Sequence, residues 1–177
     1  MLTYDSDSMN LFEPSDEMAL AIGRMSMAWS QVHFSLYDLL IYISGMKERA
    51  VRHFEFFDSE QDWRKRKVVE KAFLSKLGSS HPLSVRLMDA LGRCRALADK
   101  RNAFIHTPMF EIEGQGGIQA DERWGSGRSD RYQIPSNAVS DCLELCREIE
   151  QVEAAIEDII DEAIVALLAV SSDAACR

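Results

Sequence analysis

The longest regular pattern in the chain is a run of apolar residues that begins at Met18 and is spaced by about four and three positions. Its members are Met18, Ile22, Met25, Trp29, Val32, Leu36, Leu39 and Ile43. Such spacing places a single narrow apolar seam along one side of an α-helix. The capping residues at 13–16 predict where this helix starts, and Gly45 predicts where it ends. We expect a long amphipathic helix that packs in a bundle or against a partner helix.

Two shorter segments follow the first helix. Residues 47–57 predict a short helix or a turn, and residues 58–62 supply a capping sequence with acids for a second helix. The second helix is expected to end near Leu77, because Gly78 and two serines follow. Its basic run at 64–67 favours a solvated face over a phosphate-binding patch, because adjacent helical residues point in different directions. The candidate inward positions of this helix are Trp63, Val69, Ala72, Phe73 and Leu77.

A third helix is predicted to begin near Pro82. The apolar seam of this helix consists of Leu83, Leu87, Leu91, Cys94, Ala98 and Ile105. Continued by seven residues from the cysteine, the seam reaches Arg101, so an arginine is expected on the buried side near the helix end. Pro108 disfavours the helical conformation in the residue before it, which predicts a helix end at about His106. Asn102 and His106 are four residues apart and share an adjacent line on the helix.

The pattern changes from helical to alternating between residues 109 and 135. Phe110 and Ile112 alternate with glutamates, and Tyr132 and Ile134 mirror them farther along. Five of the nine glycines lie between these two segments. Alternation on both sides of a glycine-rich stretch predicts a small two-stranded β-ribbon.

A last long helix is predicted from Ser136 to about Val170. The whole pattern indicates an all-α protein, an up-and-down bundle of four to five helices with the β-ribbon inserted before the last helix. We expect residues 1–17 to form a flexible acidic segment, residues 18–170 to form one domain, and residues 171–177 to fray.

Charge is distributed unevenly along the chain. The formal net charge is -9, but residues 141–162 carry nine acids against one arginine, and residues 1–18 carry five acids and no base. The segment between them, residues 19–140, is therefore mildly basic, which keeps a nucleic-acid partner open for the middle of the chain. The acidic last helix is a candidate docking site for a protein partner.

Several classes of protein find no support in the sequence. No apolar run approaches the roughly 18 residues of a membrane span, and the acidic N-terminus lacks the layout of a signal peptide, so we expect a cytoplasmic protein. The four cysteines form no CxxC pair and no zinc-spaced cluster, so free thiols and no metal or cofactor are expected. The motifs of phosphate-binding loops, serine hydrolases and zinc proteases are missing from the sequence.

The candidate chemistry lies in the sequence RNAFIH, from Arg101 to His106. One explanation is structural, because cations near a helix C-terminus bond the last carbonyls and complement the helix dipole. That explanation does not account for an arginine on the apolar seam beside Asn102, since a buried charge needs a partner. The other explanation is a site directed at a phosphate, and the sequence leaves both open.

An Arg-Asn-x-x-x-His signature that ends a helix of a small all-helical protein resembles the HEPN superfamily (higher eukaryotes and prokaryotes nucleotide-binding). The supporting context is the AWSQV segment at 28–32, the ribbon and the long closing helix, so the resemblance spans about residues 18–170. Similar proteins are bundles that dimerise with their motif helices facing each other. Many are metal-independent endoribonucleases of toxin-antitoxin, phage-defence or RNA-processing systems. The resemblance therefore implies a homodimer and a role in RNA cleavage, and it does not identify a substrate.

The resemblance also implies a role for each motif residue. Arg101 matches the motif arginine, which would pair with two phosphoryl oxygens and stabilise the charge that develops on phosphorus. His106 matches the motif histidine, which would move a proton at the attacking or leaving oxygen near neutral pH. Asn102 matches the polar residue between them and would orient the phosphate or the imidazole. The candidate contacts to the RNA backbone, one to two turns upstream, are Arg93, Arg95 and Lys100.

The first helix departs from the family pattern at His33. Similar proteins often carry an acid four residues after the tryptophan, here Trp29, whereas this chain has a histidine there. Asp38 is not an obvious substitute. We expect His33 to be a partly buried histidine with a backbone partner rather than a second catalytic imidazole. The alternative to a ribonuclease is therefore a non-catalytic HEPN-like module that dimerises and binds a partner protein or a nucleotide.

Overall fold

The fold class is all-α, as the sequence predicts. A computed structural model of the chain describes the backbone of residues 10–11, 16–58, 61–106, 109–111, 118–120 and 138–175. It describes side chains at residues 16–45, 47–58, 61–105 and 138–165. Five α-helices account for most of these residues.

The helices are α1 (Asp16–Ser44), α2 (Arg49–Phe57), α3 (Asp62–Leu77), α4 (Pro82–His106) and α5 (Ala138–Ala175). A single 3₁₀ turn, Met46–Glu48, joins α1 to α2. The bounds of α1, α3 and α4 agree with the predicted bounds to within two residues. Gly45 (φ 87°) and Gly78 (φ 82°) follow α1 and α3 in the left-handed region, which ends both helices where a side chain would be strained. α5 continues to Ala175, past the predicted end at Val170.

Three short strands lie outside the helices: β1 (Asn10–Leu11), β2 (Met109–Glu111) and β3 (Ile118–Ala120). β2 is central and pairs antiparallel with both neighbours, so that Phe110 lies opposite Leu11 and Gln119. The ribbon that we expected over residues 109–135 is not supported, because β1 and β3 occupy both edges of β2. The predicted partner strand falls within residues 121–137, which lie outside the described part of the chain.

The chain divides into two compact units. Unit 1 comprises Met1–Met27 and Leu97–Arg147, and unit 2 comprises Ala28–Ala96 and Glu148–Arg177. Helices α1, α4 and α5 each contribute residues to both units.

Unit 1 packs the start of α1, the end of α4 and the start of α5 around small and flexible apolar side chains. Its buried residues are Met18, Ala21, Met25, Leu97, Ala98, Ala138, Cys142, Leu145 and Cys146. The Cys142 Sγ and Met25 Sδ atoms lie 3.9 Å apart in this core. Sulfur-containing side chains adapt to irregular spaces, which suits a junction of three helix ends.

Unit 2 is built from the remaining helical segments around larger side chains. Its most deeply buried residues include Leu36, Leu39, Leu40, Phe56, Phe73, Leu87, Ile149, Ile156 and Ile159. The predicted inward positions Val69 and Phe73 are confirmed, but the same prediction for Trp63 is wrong, since Trp63 is 55% exposed. Trp63 lies in the first turn of α3, where its indole N–H donates to Gln61 and Arg64 stacks on its ring, 5.4 Å from the ring centre.

Candidate functional site

The RNAFIH motif occupies the last turn and a half of α4, in unit 1. Arg101 is half-buried and Asn102 is exposed. The Arg101 guanidinium donates a hydrogen bond from Nη1 to Oδ1 of Asn102, over 3.1 Å. This hydrogen bond joins the guanidinium to the neighbouring amide at the helix end. The sequence predicts Arg101 on the buried side of the helix, and its half-buried position agrees with this only in part.

His106 is the last residue of α4. Its backbone is helical, four positions after Asn102, so the Cα atoms of the two residues lie on the same side of the helix. The side chain of His106 lies outside the described residues. Its role as a proton-transfer group therefore stays a prediction.

The three candidate RNA contacts on α4 fall in different settings. Arg93 and Arg95 are exposed residues of unit 2, and Lys100 is a half-buried residue of unit 1. Of the three, only Lys100 therefore belongs to the same unit as the RNAFIH motif, where it directly precedes Arg101.

A second polar cluster lies in unit 2, where α1 meets the start of α3. We call it the Trp29–His33–Asp62 cluster. Oδ1 of Asp62 lies 3.2 Å from Nε2 of His33, and Oδ2 of Asp62 accepts a hydrogen bond of 3.2 Å from the Trp29 indole N–H. The Trp29 and His33 rings meet edge to face, 5.6 Å apart.

This cluster corrects the expectation for His33. The histidine is partly buried, as expected, but its partner is a carboxylate on another helix rather than a backbone group. The sequence pattern marks Asp62 only as a first-turn acid of α3, and it does not predict the contact with Trp29, 33 positions away.

Cys94, in the middle of α4, lies within electrostatic reach of the same region. Burial raises the pKa of its thiol from 9.0 to about 11, although the nearby Arg66 and Arg93 guanidinium groups lower it, and the Asp62 carboxylate adds to the rise. A thiol with so high a pKa is protonated near neutral pH and is a poor nucleophile. Cys94 therefore serves packing.

The other described cysteines are also packing residues. Cys94, Cys142 and Cys146 are buried and free, which confirms the prediction of free thiols for these three. Burial also raises the pKa of Cys142 to about 11. Cys176 lies outside the described residues.

An open cleft of about 450 Å³ lies beside α2 in unit 2. It is lined by Tyr37, Lys47, Arg49, Ala50, His53 and Phe54. The Tyr37 hydroxyl and Nδ1 of His53 lie 3.2 Å apart. The nearby Arg52 is paired with Glu48 and Glu55, so the surroundings of the cleft are of mixed charge.

The acidic face of α5 is partly engaged. Glu153 accepts a hydrogen bond of 3.2 Å from the Ser35 hydroxyl of α1, and Arg86 on α4 is paired with Glu162 at 2.6 Å. Glu157 and Asp158 are exposed.

Within the described part of the chain, no helix has the length and apolar character needed to cross a membrane. Over the same residues, no three His, Cys, Asp or Glu side chains gather in a group that would hold a metal ion. In comparisons with family models, curated proteins and solved structures, the chain matches none of them.

Proposed function

We propose that this protein is a HEPN-like, metal-independent endoribonuclease whose site is the RNAFIH motif. The observation that carries the proposal is the setting of Arg101, a half-buried arginine at the end of α4 whose guanidinium is held by Asn102. A guanidinium is planar and permanently charged, and its geometry suits pairing with two phosphoryl oxygens.

The proposed reaction is an attack within the RNA strand. The 2'-hydroxyl oxygen forms a bond to phosphorus while its proton passes to His106, and the bond from phosphorus to the 5'-oxygen breaks. The 5'-oxygen takes up a proton from water as it leaves, so the products are a 2',3'-cyclic phosphate and a 5'-hydroxyl. Arg101 stabilises the negative charge on the phosphoryl oxygens, and Asn102 keeps Arg101 in place.

The remaining features of the proposal come from the same resemblance. We infer a homodimer, an up-and-down order of the helices and a cytoplasmic role in a toxin-antitoxin or phage-defence system. The buried free thiols of Cys94, Cys142 and Cys146 favour a reducing compartment. Met27 and Leu20, seven residues apart on α1 in unit 1, are exposed apolar side chains and are candidates for the dimer contact.

The test is a cleavage assay in EDTA on total RNA and on synthetic RNA. We expect the wild-type protein to produce fragments with 2',3'-cyclic phosphate ends, and Arg101→Ala and His106→Ala to abolish them. Arg147→Ala is the matched control, because Arg147 is an exposed arginine of unit 1 that lies on α5 and pairs there with Glu144 at 2.6 Å. Folded variants that all cleave as the wild type does would refute the proposal.

The second candidate is a non-catalytic HEPN-like module that binds a partner protein or a nucleotide. The exposed acids of α5, such as Glu157 and Asp158, favour it, because a negative helix face attracts a basic partner and repels RNA. A charge reversal of Glu157 and Asp158 should then remove the partner in a pull-down. Glu153 is left intact in this variant because it bonds to Ser35 and its loss would disturb unit 2.

A further inference from the structure

The open cleft beside α2, which we call the α2 cleft, is formed by one side of that helix and by residues that precede it in unit 2. Four of its lining residues belong to α2 and fall at positions i, i+1, i+4 and i+5, so they share one side of the helix. They are Arg49, Ala50, His53 and Phe54. Its volume of about 450 Å³ lies within the usual range of small-molecule sites, about 300–1,000 Å³.

The wall of the α2 cleft is a packed group of aromatic rings. The rings of Tyr37 and His53 meet edge to face, 5.6 Å apart, and the Tyr37 hydroxyl lies 3.2 Å from Nδ1 of His53. Phe57 packs against both, with its ring centre 4.7 Å from that of His53 and 5.0 Å from that of Tyr37. Phe54 is 71% exposed and adjoins His53, with ring centres 6.3 Å apart. An exposed phenyl ring beside this packed group offers a surface on which a flat ring can stack.

The lining of the α2 cleft carries positive charge that no acid balances. Lys47 and Arg49 are exposed, and neither forms a salt bridge with a side chain that the structure describes. The acids next to them in the chain are engaged elsewhere, because Glu48 and Glu55 pair with Arg52 at 2.9 and 2.6 Å. Among the described residues that line the cleft there is no carboxylate. The lining is therefore complementary to an anionic group such as a phosphate.

We propose that the α2 cleft binds a nucleotide, with the base stacked on Phe54 and the phosphate held by Lys47 and Arg49. A nucleotide joins a flat aromatic ring to a phosphate through a sugar, which matches the aromatic and cationic parts of one small cleft. The hydroxyl of Tyr37 and the imidazole of His53 line the same space and supply polar groups for the sugar hydroxyls. The cleft lies in unit 2 and the RNAFIH motif in unit 1, so this inference goes beyond the proposed function and does not depend on it.

The test is a calorimetric titration of the full chain with adenosine 5'-monophosphate (AMP) in EDTA. We expect a Kd below about 1 mM, as for a ligand that an open cleft covers only in part. Adenosine lacks the phosphate and ribose 5-phosphate lacks the base, so each should bind at least about tenfold more weakly than AMP. Lys47→Ala/Arg49→Ala should lower the affinity for AMP to that for adenosine. Phe54→Ala should lower it to that for ribose 5-phosphate.

Three further variants make the result specific to the α2 cleft. Lys67→Ala/Arg86→Ala removes the same two charges from α3 and α4, where both are paired with glutamates, and should keep the affinity within about twofold. Trp63→Ala removes another exposed aromatic ring of unit 2 and should leave the affinity unchanged. Ala50→Leu fills part of the cleft without a change of charge and should weaken the binding of AMP. Thermal melts establish that every variant is folded.

The same chemistry is present in a free mononucleotide and in a nucleotide of single-stranded RNA, and a second probe separates the two sources. This probe is a single-stranded 2'-O-methyl oligoadenylate, which the proposed reaction cannot cleave because its 2'-oxygen is blocked. An oligoadenylate that binds more tightly than AMP, and is weakened by the same variants, identifies a strand as the source. An affinity equal to or lower than that of AMP identifies the free nucleotide.

The inference is overturned if neither AMP nor the oligoadenylate binds, or if Lys47→Ala/Arg49→Ala and Phe54→Ala bind as the wild type does. It is also overturned if inorganic phosphate binds as tightly as AMP, because a simple anion patch would then explain the data. Arg101→Ala should bind AMP as the wild type does, and its loss of binding would place the nucleotide at the RNAFIH motif instead. A chain that binds AMP in the α2 cleft and cleaves no RNA would keep this inference and remove the proposed function.

Discussion

At the residue scale, Asp62 carries the clearest structural role, because its carboxylate joins α3 to two side chains of α1. We expect Asp62→Ala to lower the free energy of unfolding by about 1–3 kcal/mol, the usual range for hydrogen bonds to a charged group. The groups are partly open to solvent, with His33 20% and Asp62 24% exposed, so the lower half of that range is expected. Urea denaturation measures the change.

The matched control is Asp89→Ala, which removes an exposed acid of α4 and should change stability by less than about 0.5 kcal/mol. A double-mutant cycle with His33→Ala isolates the pair and should give a coupling of about 0.5–1 kcal/mol. Strictly additive losses would show that Asp62 acts through Trp29 or the dipole of α3 rather than through His33.

Cys94 gives a prediction for alkaline pH. Burial raises the pKa of its thiol from 9.0 to about 11, so between these values the folded protein keeps a proton that the unfolded chain releases. Stability is therefore lost as the pH rises from 9 to 11, by about 2–3 kcal/mol for this thiol. Cys94→Ala should be less stable than the wild type at pH 7 and should lose less stability over that range. Denaturation curves at pH 7, 9 and 11 measure the difference, and equal pH slopes for the two proteins would contradict the prediction.

At the scale of elements, the sequence predicts the ends and the buried faces of helices, but it does not predict contacts between helices or the pairing of strands. The ends of α1 and α3 follow from Gly45 and Gly78, since a positive φ is readily adopted only by glycine. The seam of α4 follows from the helical period, and its members Leu83, Leu87, Leu91, Cys94 and Ala98 are buried, whereas Ile105 is only partly buried. The contact of His33 with Asp62 joins different helices, so no periodicity of either helix contains it. The strands are two or three residues long, too short for an alternating pattern to identify their partners.

The same contrast, between residues of one segment and residues of different segments, applies to the candidate sites. The RNAFIH motif is contiguous, so its placement at the end of α4 is predictable from Pro108 alone. The exposure of Trp63 is not predictable in this way, because its helical position is compatible with the core and the packing of unit 2 leaves the ring exposed.

Glycines inside and after helices give opposite predictions for the same substitution. Gly92 lies within α4, and an added Cβ would meet nothing within 4 Å, so Gly92→Ala should stabilise the protein by about 0.5–1 kcal/mol. Gly45 has equal space but a φ of 87°, so Gly45→Ala should destabilise it by about 1–2 kcal/mol through backbone strain. Thermal denaturation of the two variants measures both signs. A gain in stability for Gly45→Ala would mean that the turn after α1 adopts another conformation.

At the scale of the whole molecule, the net charge of -9 works against an RNA substrate. The local distribution reduces this conflict, because most of the acids lie in α5 and near the N-terminus while Arg93, Arg95 and the basic run of α3 lie in the mildly basic middle. Binding to RNA should therefore depend on local contacts and weaken steeply with salt.

The proposed homodimer predicts that two inactive variants recover cleavage when they are mixed. If the two motif helices form a composite cleft, Arg101 of one chain acts with His106 of the other. A dimer of Arg101→Ala with His106→Ala then contains one intact site and one site that lacks both groups. Random exchange of subunits makes half of the dimers mixed, so the mixture should recover about a quarter of the wild-type cleavage rate, while each variant alone stays inactive.

The exchange is followed by mixing differently tagged chains and isolating the doubly tagged dimer, whose cleavage of RNA is then measured in EDTA. The isolated mixed dimer should reach about half of the wild-type rate, because one of its two symmetric sites is intact. A mixed dimer that forms but cleaves nothing would place Arg101 and His106 of each working site on the same chain. A chain that remains monomeric while it cleaves RNA would remove the composite cleft altogether and leave the motif of a single α4 to do the chemistry.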